Sequence, residues 1–94
     1  MKTYLIAYTL AMTPGRNPHL FPLAIQWKVD PYAKEFSPCT WIVRTNVDEE
    51  GVLNLLRGAI VPGDKVTVIH LPPGTKFAAD GLTPDEKQRF RIDP

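Results

Sequence analysis

The chain has a single cysteine, Cys39, only two histidines, and no long apolar run. One cysteine excludes an intrachain disulfide, which fits a reducing compartment and makes a cytoplasmic location the expectation. His19 and His70 are far apart in sequence and show no metal-ligand spacing with each other or with Cys39. No stretch reaches the roughly 18 apolar residues of a membrane helix. The opening MKTYLIAYTLA holds one lysine and sets two tyrosines and a threonine inside its apolar run, so it reads as a strand and not as a leader. An excess of one charge is also lacking. Eleven Lys+Arg face ten Asp+Glu for a net charge of +1, which leaves nucleic-acid binding only to local patches.

What is present is an ordinary globular mix, 44 % hydrophobic and 10 % aromatic over 94 residues, enough for one domain. Ten prolines punctuate it. Thr3 to Leu10 reads as a strand with Tyr4, Ile6, Tyr8 and Leu10 on one face and Leu5, Ala7 and Thr9 on the other. Both faces are largely apolar, which predicts a central strand covered on both sides. Leu20, Leu23, Ala24 and Trp27 follow the helical stripe and predict a helix over 19–29, stopped at Asp30-Pro31. Residues 33–38 are ambiguous, with a short edge strand as one reading. TWIVRT, residues 40–45, is β-branched and aromatic and predicts a strand.

Asn46 or Asp48 then caps a second helix, with acidic residues in its first turn and Val52, Leu55, Leu56, Ala59 and Ile60 as its stripe. Pro62-Gly63-Asp64 makes a turn, and KVTVIHL, residues 65–71, is another strand. Thr83 and Glu86 form a capping box with Pro84 between them, in a short helix or loose tail. The order is β-α-β-β-α-β, an α+β chain of ferredoxin-like type. It forms a single domain over 1–94, with a core of about 3–71 and an extension over 72–94.

YLIAYTL, TWIVRTN running directly into a helix, and PGDKVTVIHL resemble the SinR-like branch of the CRISPR-associated protein 2 superfamily, over residues 3–71. The resemblance implies a ferredoxin-like homodimer whose two sheets face each other and whose segment after the fourth strand crosses to the partner. It also implies nucleic-acid chemistry. Some members bind duplex without cutting, and others are metal-dependent nucleases or, in the related VapD group, ribonucleases. The family pattern places an aspartate after the aromatic that ends strand one; here the pair is Tyr8-Thr9. A threonine hydroxyl carries no charge to anchor a divalent cation. No catalytic residue and no metal ligand are therefore assigned.

Gly15 and Arg16 in TPGRN are a candidate phosphate contact, although the run lacks the Gly-x4-Gly-Lys-Ser/Thr pattern of a phosphate loop. Arg44, with Lys2, Arg16 and Lys28, is a candidate basic face. Lys87, Arg89 and Arg91 around Phe90 are a second basic cluster. The plain alternatives are an exposed turn and a solvated helix balanced by Asp85, Glu86 and Asp93. Trp27 and Trp41 fall at core positions. Tyr4 and Tyr8 share a face and become interface residues if that face meets a partner's sheet. Cys39 is expected to be a buried, inert thiol, with a Cys39–His70 nucleophile pair as the competing idea.

The leading expectation is a non-catalytic homodimer that needs no cofactor and binds duplex DNA or RNA through Arg16, Arg44, Lys87, Arg89 and Arg91. One alternative is a Mg²⁺- or Mn²⁺-dependent nuclease in which Asp48, Glu49, Asp64 or Asp80 replaces the missing aspartate. Another is a protein-interaction module.

Overall fold

A computed structural model describes residues 1–75. Strand β1 (Lys2–Thr9) is flanked antiparallel by β3 (Thr40–Thr45) and by β4 (Lys65–Leu71). Strand β2 (Lys34–Ser37) pairs antiparallel with β3, giving the sheet order β2-β3-β1-β4. Helix α1 (Leu20–Ala24) continues into a π-helical turn, Ile25–Val29, between β1 and β2. Helix α2 (Glu49–Leu56) ends in a 3-10 turn, Arg57–Ala59, between β3 and β4. The result is a small α+β protein with one four-stranded antiparallel sheet and two helices. Among the described residues no helix is long and apolar enough to cross a membrane. The capping box at Thr83 and most of the 72–94 extension lie outside the described residues.

Alternation decides the faces of the sheet. Tyr4, Ile6 and Tyr8 are buried and stand in register with Val43 and Trp41 of β3, at Tyr4↔Val43 and Ile6↔Trp41. Residues directly opposite in a ladder share a face. That face packs on Phe21, Ala24, Ile25, Val52 and Leu56, so both helices cover it. Each fully buried aliphatic here contributes about 1.5–3 kcal/mol of transfer free energy. The polar tips of its aromatics are satisfied inside: Tyr4 donates its hydroxyl hydrogen to the Val47 carbonyl at 2.6 Å, and Trp41 Nε1–H donates to the Tyr8 oxygen at 3.3 Å. Burial raises both tyrosine pKa values, so both stay neutral. Because these tyrosines lie beneath the helices, they cannot be the surface that meets a partner's sheet.

The ambiguous stretch 33–38 resolves as β2, with a register irregularity between Glu35 and Ser37. Asp48, not Asn46, caps α2, its Oδ1 accepting the Gly51 N–H at 2.7 Å. A Cβ at position 51 would lie 2.9 Å from the Val47 Cβ, which accounts for glycine in that first turn.

The first helix departs from its predicted stripe. Of Leu20, Leu23, Ala24 and Trp27 only Ala24 is buried; Trp27 is 79 % exposed and Leu20 57 %. Phe21 and Ile25 occupy the core instead, at 1 % and 0 %. Two overlapping helical stripes share Ala24, and the one carrying phenylalanine wins the inward position. The chain then widens, with the Asp30 N–H bonding to the Ile25 carbonyl five residues back at 3.1 Å. Trp27 lies on the outward stripe with Leu20 and Leu23, contrary to its expected core role, whereas Trp41 is buried as expected. Asp30 anchors the exit of the turn. Its carboxylate accepts the Tyr32 N–H at 2.9 Å and the Arg44 N–H of β3 at 3.0 Å.

Candidate functional site

The face of the sheet opposite the helices is built from the other parity of each strand. Its rows, read across β4, β1 and β3, are Leu71–Thr3–Arg44, Ile69–Leu5–Ile42 and Thr67–Ala7–Thr40, followed by Lys65–Thr9. Lys34 of β2 continues the Ile42 row. The middle of this face is apolar, with Ile69 48 % exposed. The end toward Thr9 is polar. There a cleft of about 440 Å³ opens over Ala7, walled by Thr9, Thr40, Thr67, Lys65 and the Pro38-Cys39 turn.

Charge is segregated on this face. Strands β1, β3 and β4 contain no aspartate or glutamate at all. The one acid of β2, Glu35, pairs with Trp41 and so belongs to the helix side. Lys65, at the Thr9 end, is the exposed cation of this face that stands beside the cleft. Arg44, an expected contact, is half-buried here in register with Thr3. Lys28 lies elsewhere, its Nζ 3.5 Å from the Cβ position of Gly58 on the helix layer, so it does not share a face with Arg44.

Arg16 has a different role from the one expected. Its guanidinium grips Asp64 with two prongs, Nη1 to Oδ1 at 2.5 Å and Nη2 to Oδ2 at 2.6 Å. Nη1 also donates to the Ala11 carbonyl at 2.8 Å. The same carboxylate accepts the Ala11 N–H at 2.7 Å and the Val61 N–H at 2.9 Å. The Asp64 side chain has no solvent exposure and that of Arg16 has 12 %. Arg16 thus clasps the β1–α1 loop to the turn before β4, and is not presented to a phosphate. Asp64 is equally unavailable as a replacement metal ligand. The bonds from Arg16, followed by those from Val61 and Ala11, hold its carboxyl well below the usual carboxylate range against the opposing effect of burial. No local sequence signal joins two residues 48 positions apart.

Cys39 is exposed, not buried. It sits at φ 62° in the β2–β3 turn behind Pro38, a position that favours glycine, and its carbonyl accepts the Tyr8 N–H at 3.0 Å. The left-handed backbone costs a non-glycine residue roughly 1 kcal/mol. Cys39→Gly is therefore expected to raise stability, by up to about 1 kcal/mol, because strain relief exceeds the added unfolded-state entropy. Urea unfolding checks this, and a destabilised variant would contradict it.

The Cys39–His70 pair does not form. His70 stands in register with Tyr4 on the helix side, its ring 5.4 Å from the tyrosine ring, three residues along the sheet from the Ala7 row. Among the described residues no group of three or more His, Cys, Asp or Glu comes together as a metal site would need. Asp48 is the cap of α2 and Glu49 is in its first turn. Asp80, Lys87, Arg89 and Arg91 lie outside the described residues. Sequence reasoning missed Lys65, Thr40 and Thr67, because only the three-strand register brings them beside Thr9. In comparison with known proteins the chain matches no family model, no curated protein and no solved structure.

Proposed function

We propose that the chain is a ferredoxin-like domain that pairs into a homodimer and binds nucleic acid without cutting it, as an accessory protein. The β-α-β-β-α-β element order, the sheet order β2-β3-β1-β4 and the placement of both helices on one face support the fold reading. One observation carries the binding reading: Lys65 stands with the hydroxyls of Thr9, Thr40 and Thr67 around an open cleft that no carboxylate lines among the described residues. An exposed lysine among hydroxyl donors gives a chain of net charge +1 a local attraction for phosphates despite its near-neutral total.

Tyr4, Tyr8 and Trp41 are under the helices, so β1, β3 and β4 set no aromatic ring on the opposite face. The apolar row Ile69–Leu5–Ile42 supports the dimer reading. Ile42 is already 2 % exposed, so two copies meeting across the row would chiefly bury Ile69, 48 % exposed, with Leu5 beside it. The resemblance to the CRISPR-associated protein 2 superfamily agrees with this reading, and Thr9 in place of an aspartate supports binding over hydrolysis.

Fluorescence anisotropy with labelled duplex DNA and RNA over a salt series tests the proposal. Affinity is expected to fall linearly on a log–log plot, with a slope of about −0.9 per phosphate neutralised. Lys65→Gln is expected to reduce that slope by about 1 per subunit engaged. Undetectable binding at every salt concentration overturns the nucleic-acid reading. A monomeric mass by light scattering overturns the dimer.

A further inference from the structure

We propose that the cleft at the Thr9 end of the sheet is an oxyanion site that takes one phosphate group, held by the Lys65 ammonium and the hydroxyls of Thr9, Thr40 and Thr67. The inference deepens the nucleic-acid reading and rests on it only for the polymeric source of the phosphate.

The strand register builds the site. Ala7 lies between Thr67 of β4 and Thr40 of β3 in one row, and Thr9 lies beside Lys65 in the next row on the same face. Directly opposed Cβ atoms are about 4.5–5.5 Å apart, so the two outer threonines stand roughly 10 Å apart across the alanine. That gap suits a tetrahedral oxyanion with a hydrogen-bonding oxygen on each side. The alanine methyl supplies a shallow floor where a larger side chain would fill the cleft.

The lining also selects the sign of the ligand. Lysine offers three N–H donors and no acceptor, and each threonine hydroxyl rotates to donate. Among the described residues no carboxylate lines the cleft. Glu35, the acid of the adjacent hairpin, shares the Trp41 side of the sheet. A divalent cation would meet an ammonium here and no anionic ligand, whereas a phosphate would meet one full positive charge and up to three neutral donors. Thr9, Lys65 and Thr67 are all exposed, so a ligand can reach them from solvent.

Amide chemical-shift titration of the full chain tests this, with three probes at matched ionic strength: inorganic phosphate against chloride, a 5′-phosphorylated oligonucleotide, and the same oligonucleotide with a 5′-hydroxyl. Saturable shifts at Thr9, Thr40, Lys65 and Thr67 with phosphate and not with chloride are expected. Lys65→Gln is expected to weaken phosphate binding roughly tenfold, and the isosteric Thr67→Val several-fold. A shared response to both oligonucleotides assigns the site to backbone phosphates; a response to the 5′-phosphorylated one alone assigns it to a terminal phosphate.

Absence of saturable shifts with all three probes overturns the site. So does phosphate binding that neither substitution weakens. Salt-dependent oligonucleotide binding that leaves these four amides unmoved overturns the site but leaves the nucleic-acid reading standing. Phosphate binding in the cleft without oligonucleotide binding at any salt does the reverse.

Discussion

Asp64→Asn is expected to lower the melting temperature at neutral pH by about 15 °C or more, the largest loss of any single polar substitution in the described residues. The carboxylate accepts four hydrogen bonds, two from Arg16 and one each from the Ala11 and Val61 amides. An asparagine replaces one accepting oxygen with an NH₂ group, which then faces donors. It also leaves the guanidinium, only 12 % exposed, without its counter-charge.

The pH dependence follows from the same contacts. The native Asp64 carboxyl is held well below its ordinary value of about 3.9, so its contribution is complete above that pH and is lost as the pH falls toward the native value. Melting curves of both proteins from neutral to acid pH should therefore converge below about pH 4. Curves that stay parallel down to strongly acidic pH would show that the clasp contributes nothing through ionisation.

Phe21→Ala is expected to cost about 3–5 kcal/mol, while Trp27→Ala changes stability by no more than about 0.5 kcal/mol. Both residues are large aromatics in the segment between β1 and β2. Phe21 is 1 % exposed with its ring 4.5 Å from that of Tyr8, so truncation opens a cavity against the central strand. Trp27 is 79 % exposed, so most of its surface is already in water. Denaturant titration of the two variants provides the comparison. A Trp27 variant as damaged as the Phe21 variant would mean that the indole does not face outward.

The contrast between these two aromatics also marks where sequence reasoning reaches its limit. Strands β1, β3 and β4 and helix α2 were readable because each carries a pattern of its own: alternation, β-branching, or an acidic first turn before an apolar stripe. The first helix carries two stripes through Ala24, and periodicity does not say which one turns inward; Phe21 and Ile25 are the residues found there. At the candidate site, Thr9 was legible through the aspartate it lacks. Its companions were not, since Thr40, Thr67 and Lys65 meet it only once three strands are in register. Arg16 was misread for a related reason. A guanidinium in a glycine turn looks available until the turn that holds Asp64 arrives from far along the chain.

The central position of β1 bears on how the protein is made. This strand precedes every other element, yet its two sheet neighbours begin only at Thr40 and Lys65. At a synthesis rate of roughly 5–20 residues per second, the nascent chain carries YLIAY for several seconds before β4 leaves the ribosomal tunnel. Throughout that interval the strand is an unshielded apolar segment. Its protection must come from the tunnel wall or from a chaperone, and completion of the sheet waits for β4.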